Sequence, residues 1–81
     1  MKKLLYQNLK RIYEKIKEEG SQEVYQTLID KFVTLVTYEN VYLMKKMNRY
    51  FVLHQSGNDM FIDCGGFGII IDKDDKVSIH T

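Results

Sequence analysis

Three residues of this 81-residue chain carry the soft donor atoms that bind zinc or act in nucleophilic catalysis: Cys64, His54 and His80. Zinc ligands occur at close, regular spacings, and no such spacing relates these three residues. A cysteine nucleophile also needs a base within hydrogen-bonding distance. The strand pattern described below directs Cys64 into the core and both histidines to the opposite face. We therefore expect a buried cysteine, two surface histidines, no metal site and no cofactor.

Two further motifs resemble ligand-binding loops. Glycines at positions 65, 66 and 68 surround Phe67, but a phosphate-binding loop opens a helix, whereas the isoleucines after Gly68 are typical of a strand. The acidic tip, defined as Asp72, Asp74 and Asp75, lacks the glycine and glutamate that a calcium loop requires. Tight turns explain both motifs. The acidic tip is kept as a candidate contact for a basic partner.

One segment interleaves basic and aromatic residues: Tyr42, Lys45, Lys46 and Arg49. Cations that contact phosphate and rings that stack on bases are typical of nucleic-acid binders. The net charge of +1 and the pI near 7.8 argue against this function. A solvated charged connector is the simpler interpretation.

Two helices are expected to precede the residues discussed so far. Leucine and isoleucine recur at helical spacing over residues 2–19, and Gly20 is a natural end for that helix. Ser21 is the expected N-cap of a second helix over residues 22–37. The apolar face predicted for the second helix consists of Tyr25, Leu28, Ile29, Phe32, Leu35 and Val36. The short link between the helices predicts an antiparallel hairpin.

Turn residues determine the strand pairing predicted for residues 50–80. Two-residue turns at 57–58 and 65–66 and a three-residue loop at 73–75 connect four strands. A shift by one residue in any hairpin would move its apolar side chains to the wrong face. The resulting registers agree on one buried face, which contains Phe51, Leu53, Met60, Ile62, Cys64, Phe67, Ile69, Ile71, Val77 and Ile79.

These elements predict an α+β fold in a single domain, residues 1–81. An N-terminal antiparallel two-helix hairpin packs on one face of a C-terminal four-stranded antiparallel β-meander. Residues 38–49 fit either a fifth strand of the sheet or a short third helix.

The face of the sheet away from the helices carries a second group of side chains. We name it the outer patch: Tyr50, Val52, His54, Phe61 and Ile70. A contiguous apolar strip on an otherwise solvated sheet marks a partner, a dimer contact or a surface covered by another part of the chain. Cover by residues 38–48 is the competing interpretation.

Composition excludes several classes of protein. A hydrophobic share of 44% with near-neutral charge is typical of a folded domain rather than a disordered chain. No run approaches the roughly 18 apolar residues of a membrane span, so we expect no membrane partner. A single cysteine cannot form an internal disulfide, which fits the cytoplasm. Frequent lysine with no alanine or proline indicates an AT-rich genome, such as that of a low-GC bacterium, its phage or a plasmid.

These patterns do not bring together the residues of a catalytic site, such as a nucleophile and a nearby base, so we do not expect an enzyme. The first hypothesis is a small non-enzymatic regulator or inhibitor that binds another protein, for example an anti-defence inhibitor of the anti-CRISPR type. The outer patch would supply apolar contact, and the acidic tip would complement a basic target. The alternative is a small nucleic-acid-binding regulator that uses Lys45, Lys46 and Arg49. A homodimer formed through the outer patch is a third interpretation.

Overall fold

The described residues form two α-helices followed by a four-stranded sheet. The computed structural model of the chain describes residues 4–38 and 50–81. Helix α1 spans Leu5–Glu19 and helix α2 spans Gln26–Thr37, with a short 3₁₀ turn, Glu23–Tyr25, directly before α2. The strands are β1 (Val52–Ser56), β2 (Asp59–Asp63), β3 (Gly68–Ile71) and β4 (Val77–His80). Neighbouring strands are antiparallel in the order β1-β2-β3-β4, which confirms the predicted α+β arrangement.

The hairpin registers are those predicted from the turn residues. Ser56 pairs with Asp59 across the turn at 57–58, where Gly57 adopts a φ of 62° that suits glycine. The Cys64 N–H donates to the Phe67 carbonyl oxygen at 2.9 Å and so closes the turn at 65–66. The β3–β4 hairpin also has the predicted register. Turn chemistry and apolar alternation therefore agree along the whole meander.

The core lies between the helices and one face of the sheet. The sheet contributes eight buried residues of the predicted face: Phe51, Leu53, Met60, Ile62, Cys64, Phe67, Ile69 and Ile71. Val77 and Ile79 pack against this cluster but are only partly buried, since β4 is an edge strand. Leu5 and Leu9 of α1 complete the cluster from the helical side, together with residues of α2. Each large apolar side chain buried here contributes about 1.5–3 kcal/mol of transfer free energy.

Helix α2 is rotated relative to its predicted apolar face. Ile29 and Val33 are fully buried, whereas Leu28 and Leu35, which the prediction placed inside, are 42% and 47% exposed. Thr37 is also buried, because its hydroxyl donates to the Val33 carbonyl oxygen at 2.6 Å and needs no water. The face prediction was therefore wrong at Leu28 and Leu35. Apolar residues cover two adjacent sides of α2, so their spacing alone does not determine its orientation.

The ends of the helices agree only partly with the prediction. Gly20 ends α1 as expected, with a φ of 73° and its N–H donating to the Ile16 carbonyl oxygen at 2.8 Å. Neither the 3₁₀ turn nor α2 has a side-chain N-cap, so the predicted role of Ser21 was wrong. Helix α2 begins at Gln26 rather than near residue 22. The side chain of Gln22 bonds to strand β1 instead.

Residues 39–49 lie outside the described part of the chain. The two interpretations of segment 38–49, a fifth strand or a third helix, therefore stay open. Tyr38 is the described residue of that segment, and it forms the C-cap of α2.

Candidate functional site

The outer patch lies on the sheet face opposite the helices, as the registers predicted. His54 pairs with Phe61, and Phe61 pairs with Ile70, so these three side chains form one row across the sheet. Val52 lies on the same face two residues before His54, and Tyr50 precedes β1; they are 41% and 46% exposed, respectively. The three residues of the row are partly exposed. Among the described residues the patch is therefore accessible, with its centre more enclosed than its ends. The competing interpretation, cover by residues 38–48, lies outside the described residues except for Tyr38.

Phe61 is held in place by its neighbours on both sides. Its ring centroid lies 4.7 Å from that of His54, with the ring planes tilted by 46°. On the other side, a Cβ atom added to Gly68 would come within 2.6 Å of Phe61 Cζ. The ring thus occupies the space left by the missing side chain of Gly68. This packing presents a fixed aromatic surface at the centre of the patch.

Polar residues border the patch. Ser78 pairs with Ile70 at one end of the central row, and Asp63 pairs with Val52 and Gly68 in the neighbouring row. Ser78 and Asp63 are both exposed. An apolar centre with a polar border is the usual composition of a protein–protein contact.

The acidic tip is partly occupied by structural hydrogen bonds. Asp72 Oδ1 accepts from the backbone N–H groups of Asp74 and Lys76, at 2.8 and 3.0 Å. Asp75 Oδ1 accepts from the Tyr6 N–H at 2.8 Å, so this carboxylate caps the N-terminus of α1 from the far end of the chain. Asp74 is exposed. Two of the three predicted contact residues therefore stabilise the fold directly.

Gln22, just before the 3₁₀ turn, and Gln26, the first residue of α2, form hydrogen bonds to the backbone at the start of β1, which the sequence analysis did not predict. Gln26 accepts from the Phe51 N–H through Oε1 and donates to the Phe51 carbonyl oxygen through Nε2, both at 2.9 Å. Gln22 also donates to the Phe51 carbonyl oxygen, and it accepts from the Leu53 N–H at 3.3 Å. Within residues 4–38 and 50–81, these side-chain amides thus bond to backbone groups that a neighbouring strand would otherwise pair with. The only sequence signal is the helical i,i+4 spacing of the glutamines.

Cys64 is buried and unsuited to nucleophilic chemistry. Burial raises the pKa of its thiol to about 12, and the neighbouring Asp63 carboxylate adds to the shift. The Sγ–H group points to the Ile62 carbonyl oxygen at 3.7 Å. His80 is exposed and His54 lies on the outer face, so both histidines are directed away from the thiol, as predicted. Residues 4–38 and 50–81 contain no group of three or more His, Cys, Asp or Glu placed to hold a metal ion.

A second apolar surface lies on the exposed side of α2. Leu28, Lys31, Phe32 and Leu35 line a groove of about 270 Å³. The predicted nucleic-acid residues, Tyr42, Lys45, Lys46 and Arg49, lie outside the described part of the chain.

Comparisons with protein-family models, curated proteins and solved structures found no match to this chain. In the described ranges, neither helix has the length and apolar character needed to cross a bilayer. Function is therefore inferred from the chemistry of the surfaces themselves.

Proposed function

We propose that this chain is a small non-enzymatic regulator or inhibitor that binds another protein through the outer patch. The observation that carries the proposal is the fixed Phe61 ring at the centre of a partly exposed apolar patch, bordered by Ser78 and Asp63. Rigid aromatic side chains are favoured at protein interfaces because they lose little conformational entropy on binding.

The chemistry of the patch favours a protein over a nucleic acid. Its members are apolar or aromatic apart from His54, and the charged residues that flank Phe61 on the same face of β2, Asp59 and Asp63, are both acidic. A phosphate backbone would require cations at this surface. A protein partner instead needs an apolar centre and a tolerant polar border.

A cytoplasmic inhibitor encoded by a low-GC bacterium, its phage or a plasmid is the concrete form of this proposal. An anti-defence inhibitor of the anti-CRISPR type would block a nuclease through its basic nucleic-acid groove. Of the acidic tip, Asp74 is the carboxylate exposed for such a target, because Asp72 and Asp75 already accept backbone hydrogen bonds. Charge complementarity would then speed association more than it would raise affinity.

The test compares three forms of the tagged chain in affinity capture from a low-GC bacterial lysate, with and without nuclease. Val52→Lys with Ile70→Lys places two charges on the outer patch. Gln7→Lys with Ser21→Lys places the same charges on exposed positions of α1 and the link. We expect a protein that survives nuclease treatment to bind the wild type and the control but not the patch variant.

Three outcomes would contradict the proposal. A captured protein that the patch variant still binds would show that the patch is not the contact. Recovery of nucleic acid, with binding lost after nuclease treatment, would support the alternative that uses Lys45, Lys46 and Arg49. A wild-type dimer in light scattering that becomes monomeric in the patch variant would assign the patch to self-association. Circular dichroism of all three forms checks that each is folded.

A further inference from the structure

Helix α2 carries a second line of residues at coiled-coil spacing. We name it the α2 stripe: Val24, Leu28, Lys31, Leu35 and Tyr38, which follow one another at intervals of four, three, four and three residues. Val24 lies in the 3₁₀ turn and Tyr38 is the C-cap, so the stripe runs the length of the helix. Its four apolar or aromatic members are 42–71% exposed. Alternating intervals of three and four are the pattern by which one helix packs along another.

The stripe is distinct from the side of α2 that packs on the sheet. Ile29 and Val33 are fully buried in the core, and neither belongs to the stripe. Leu28, Lys31 and Leu35 line the groove of about 270 Å³ together with Phe32. Helix-in-groove recognition uses anchors at such i, i+3, i+4 and i+7 positions. As far as the described residues go, a second helix can therefore pack along α2 without disturbing its contacts with the sheet.

Lys31 determines what kind of helix fits. It lies at the middle of the stripe, where a bound helix would enclose its ammonium group between the two leucines. A parallel second copy would place Lys31 against another Lys31. An antiparallel second copy in coiled-coil register would place it against a leucine. The acidic residues of the 3₁₀ turn and α2, Glu23 and Asp30, are not on the stripe, so neither arrangement supplies the carboxylate that an enclosed ammonium group requires.

We infer that the α2 stripe binds an amphipathic helix of a partner protein, with an acidic side chain of that helix facing Lys31. Apolar side chains on either side of the acid would pack against Leu28 and Leu35. The inference rests on the proposed protein-binding function and adds a second contact surface with a stated chemistry. Its test uses defined peptides rather than the captured partner, so it can fail while the outer-patch proposal stands.

The probe is a labelled synthetic helix of about three heptads with leucine at the core positions and glutamate at the central one. A sister peptide carries lysine at that position. We expect the full chain to bind the glutamate peptide at least about tenfold more tightly than the lysine peptide, as measured by fluorescence anisotropy. Lys31→Glu should reverse the preference, which a purely apolar contact would not do.

Matched variants check that the stripe is the binding surface. Leu28→Asp with Leu35→Asp should abolish binding of both peptides while circular dichroism stays native, because neither leucine belongs to the buried core. Gln7→Asp, an exposed change on α1, should leave binding unchanged.

The inference is overturned if the glutamate peptide does not bind, or if Lys31→Glu fails to reverse the preference. It is also overturned if the chain sediments as a dimer that Leu28→Asp disrupts, which would make a second copy the occupant. Binding to vesicles of phosphatidylcholine and phosphatidylglycerol that the leucine variants lose would assign the stripe to a lipid surface instead.

Discussion

Phe61 and Gly68 are complementary in shape, although they lie on the solvent side of the sheet. An aromatic ring that covers a diagonal glycine shields its exposed backbone and compensates for the lack of a side chain in the strand. The distance of 2.6 Å between Phe61 Cζ and a Cβ added at position 68 leaves no room for alanine unless the ring moves. The pair therefore stabilises the sheet and orients the centre of the outer patch at the same time.

A double-mutant cycle tests this pairing. We expect Gly68→Ala to lower the free energy of unfolding by about 1 kcal/mol, because the added methyl displaces the Phe61 ring. In a Phe61→Ala background the same change should be neutral or stabilising, since alanine is less flexible than glycine in a strand. Urea denaturation of the four proteins measures the coupling. Equal effects of Gly68→Ala in both backgrounds would show that the Phe61 ring and position 68 are not energetically coupled.

Cys64 gives the stability of the fold a dependence on alkaline pH. The thiol has a pKa of about 12 in the folded chain, above its ordinary value of 9.0. The folded state therefore keeps the thiol proton at pH values where the unfolded state has lost it. This contribution to stability is complete below pH 9 and declines as the pH rises from 9 towards 12. Cys64→Ala should lose less stability than the wild type between pH 8 and about pH 10.5. An identical decline in both proteins would contradict the role of the thiol.

At the level of secondary-structure elements, side-chain hydrogen bonds join the segment that leads into α2 to the start of β1. An edge strand exposes backbone groups that readily pair with other chains. Gln22 and Gln26 bond to both backbone groups of Phe51 and to the N–H of Leu53, so these three groups are not open to another strand. The glutamines also restrict the orientation of α2, since both side-chain amides must form hydrogen bonds to the same strand.

Replacing one donor of these hydrogen bonds tests their contribution. Gln26→Glu keeps an acceptor for the Phe51 N–H but faces the Phe51 carbonyl oxygen with a second oxygen. We expect the free energy of unfolding to fall by about 1–2 kcal/mol at pH 7. Part of the loss should return below about pH 4, where the introduced carboxyl is protonated and can donate again.

Gln7→Glu is the matched control, because Gln7 is exposed on α1 and makes no such bond to the sheet. Gln7→Glu should leave the free energy of unfolding nearly unchanged at both pH values. A Gln26→Glu variant as stable as this control at pH 7 would show that the amide bonds contribute little.

The elements differ in how well sequence alone predicts them. The hairpins were predicted correctly because glycine turns and apolar alternation are independent signals that agree at Leu53, Ile62 and Ile69. The orientation of α2 was not predicted correctly. Leu28 and Ile29 are equally apolar, so only tertiary packing determines which of them is buried. The outer patch followed from the registers. The edge closure by glutamines could not be derived, since its partners lie 25 or more residues away.

Charge contributes little to stability in the part of the molecule that the structure describes. The net charge is +1, and between described residues the one ion pair is Lys10–Glu14, at 4.0 Å on the surface of α1. Exposed pairs of this kind contribute at most about 0.5 kcal/mol. The fold is therefore maintained by apolar burial and by hydrogen bonds between side chains and backbone.

The response of stability to salt tests this balance. Raising sodium chloride from about 0.05 to 0.5 M should change the free energy of unfolding by less than about 0.5 kcal/mol. Sodium sulfate at equal ionic strength should stabilise the protein measurably, because it strengthens apolar burial. A change above about 1 kcal/mol in sodium chloride would indicate charge interactions beyond those described.

The hydrogen bond from the Tyr6 N–H to Asp75 has a consequence for the order in which the chain acquires structure. Its two residues are 69 positions apart, so α1 lacks this cap until the β3–β4 hairpin has been synthesised. Short helices without tertiary support are marginal in water. Stable folding of α1 should therefore follow synthesis of the β3–β4 hairpin, and nascent chains arrested before residue 75 should remain sensitive to protease.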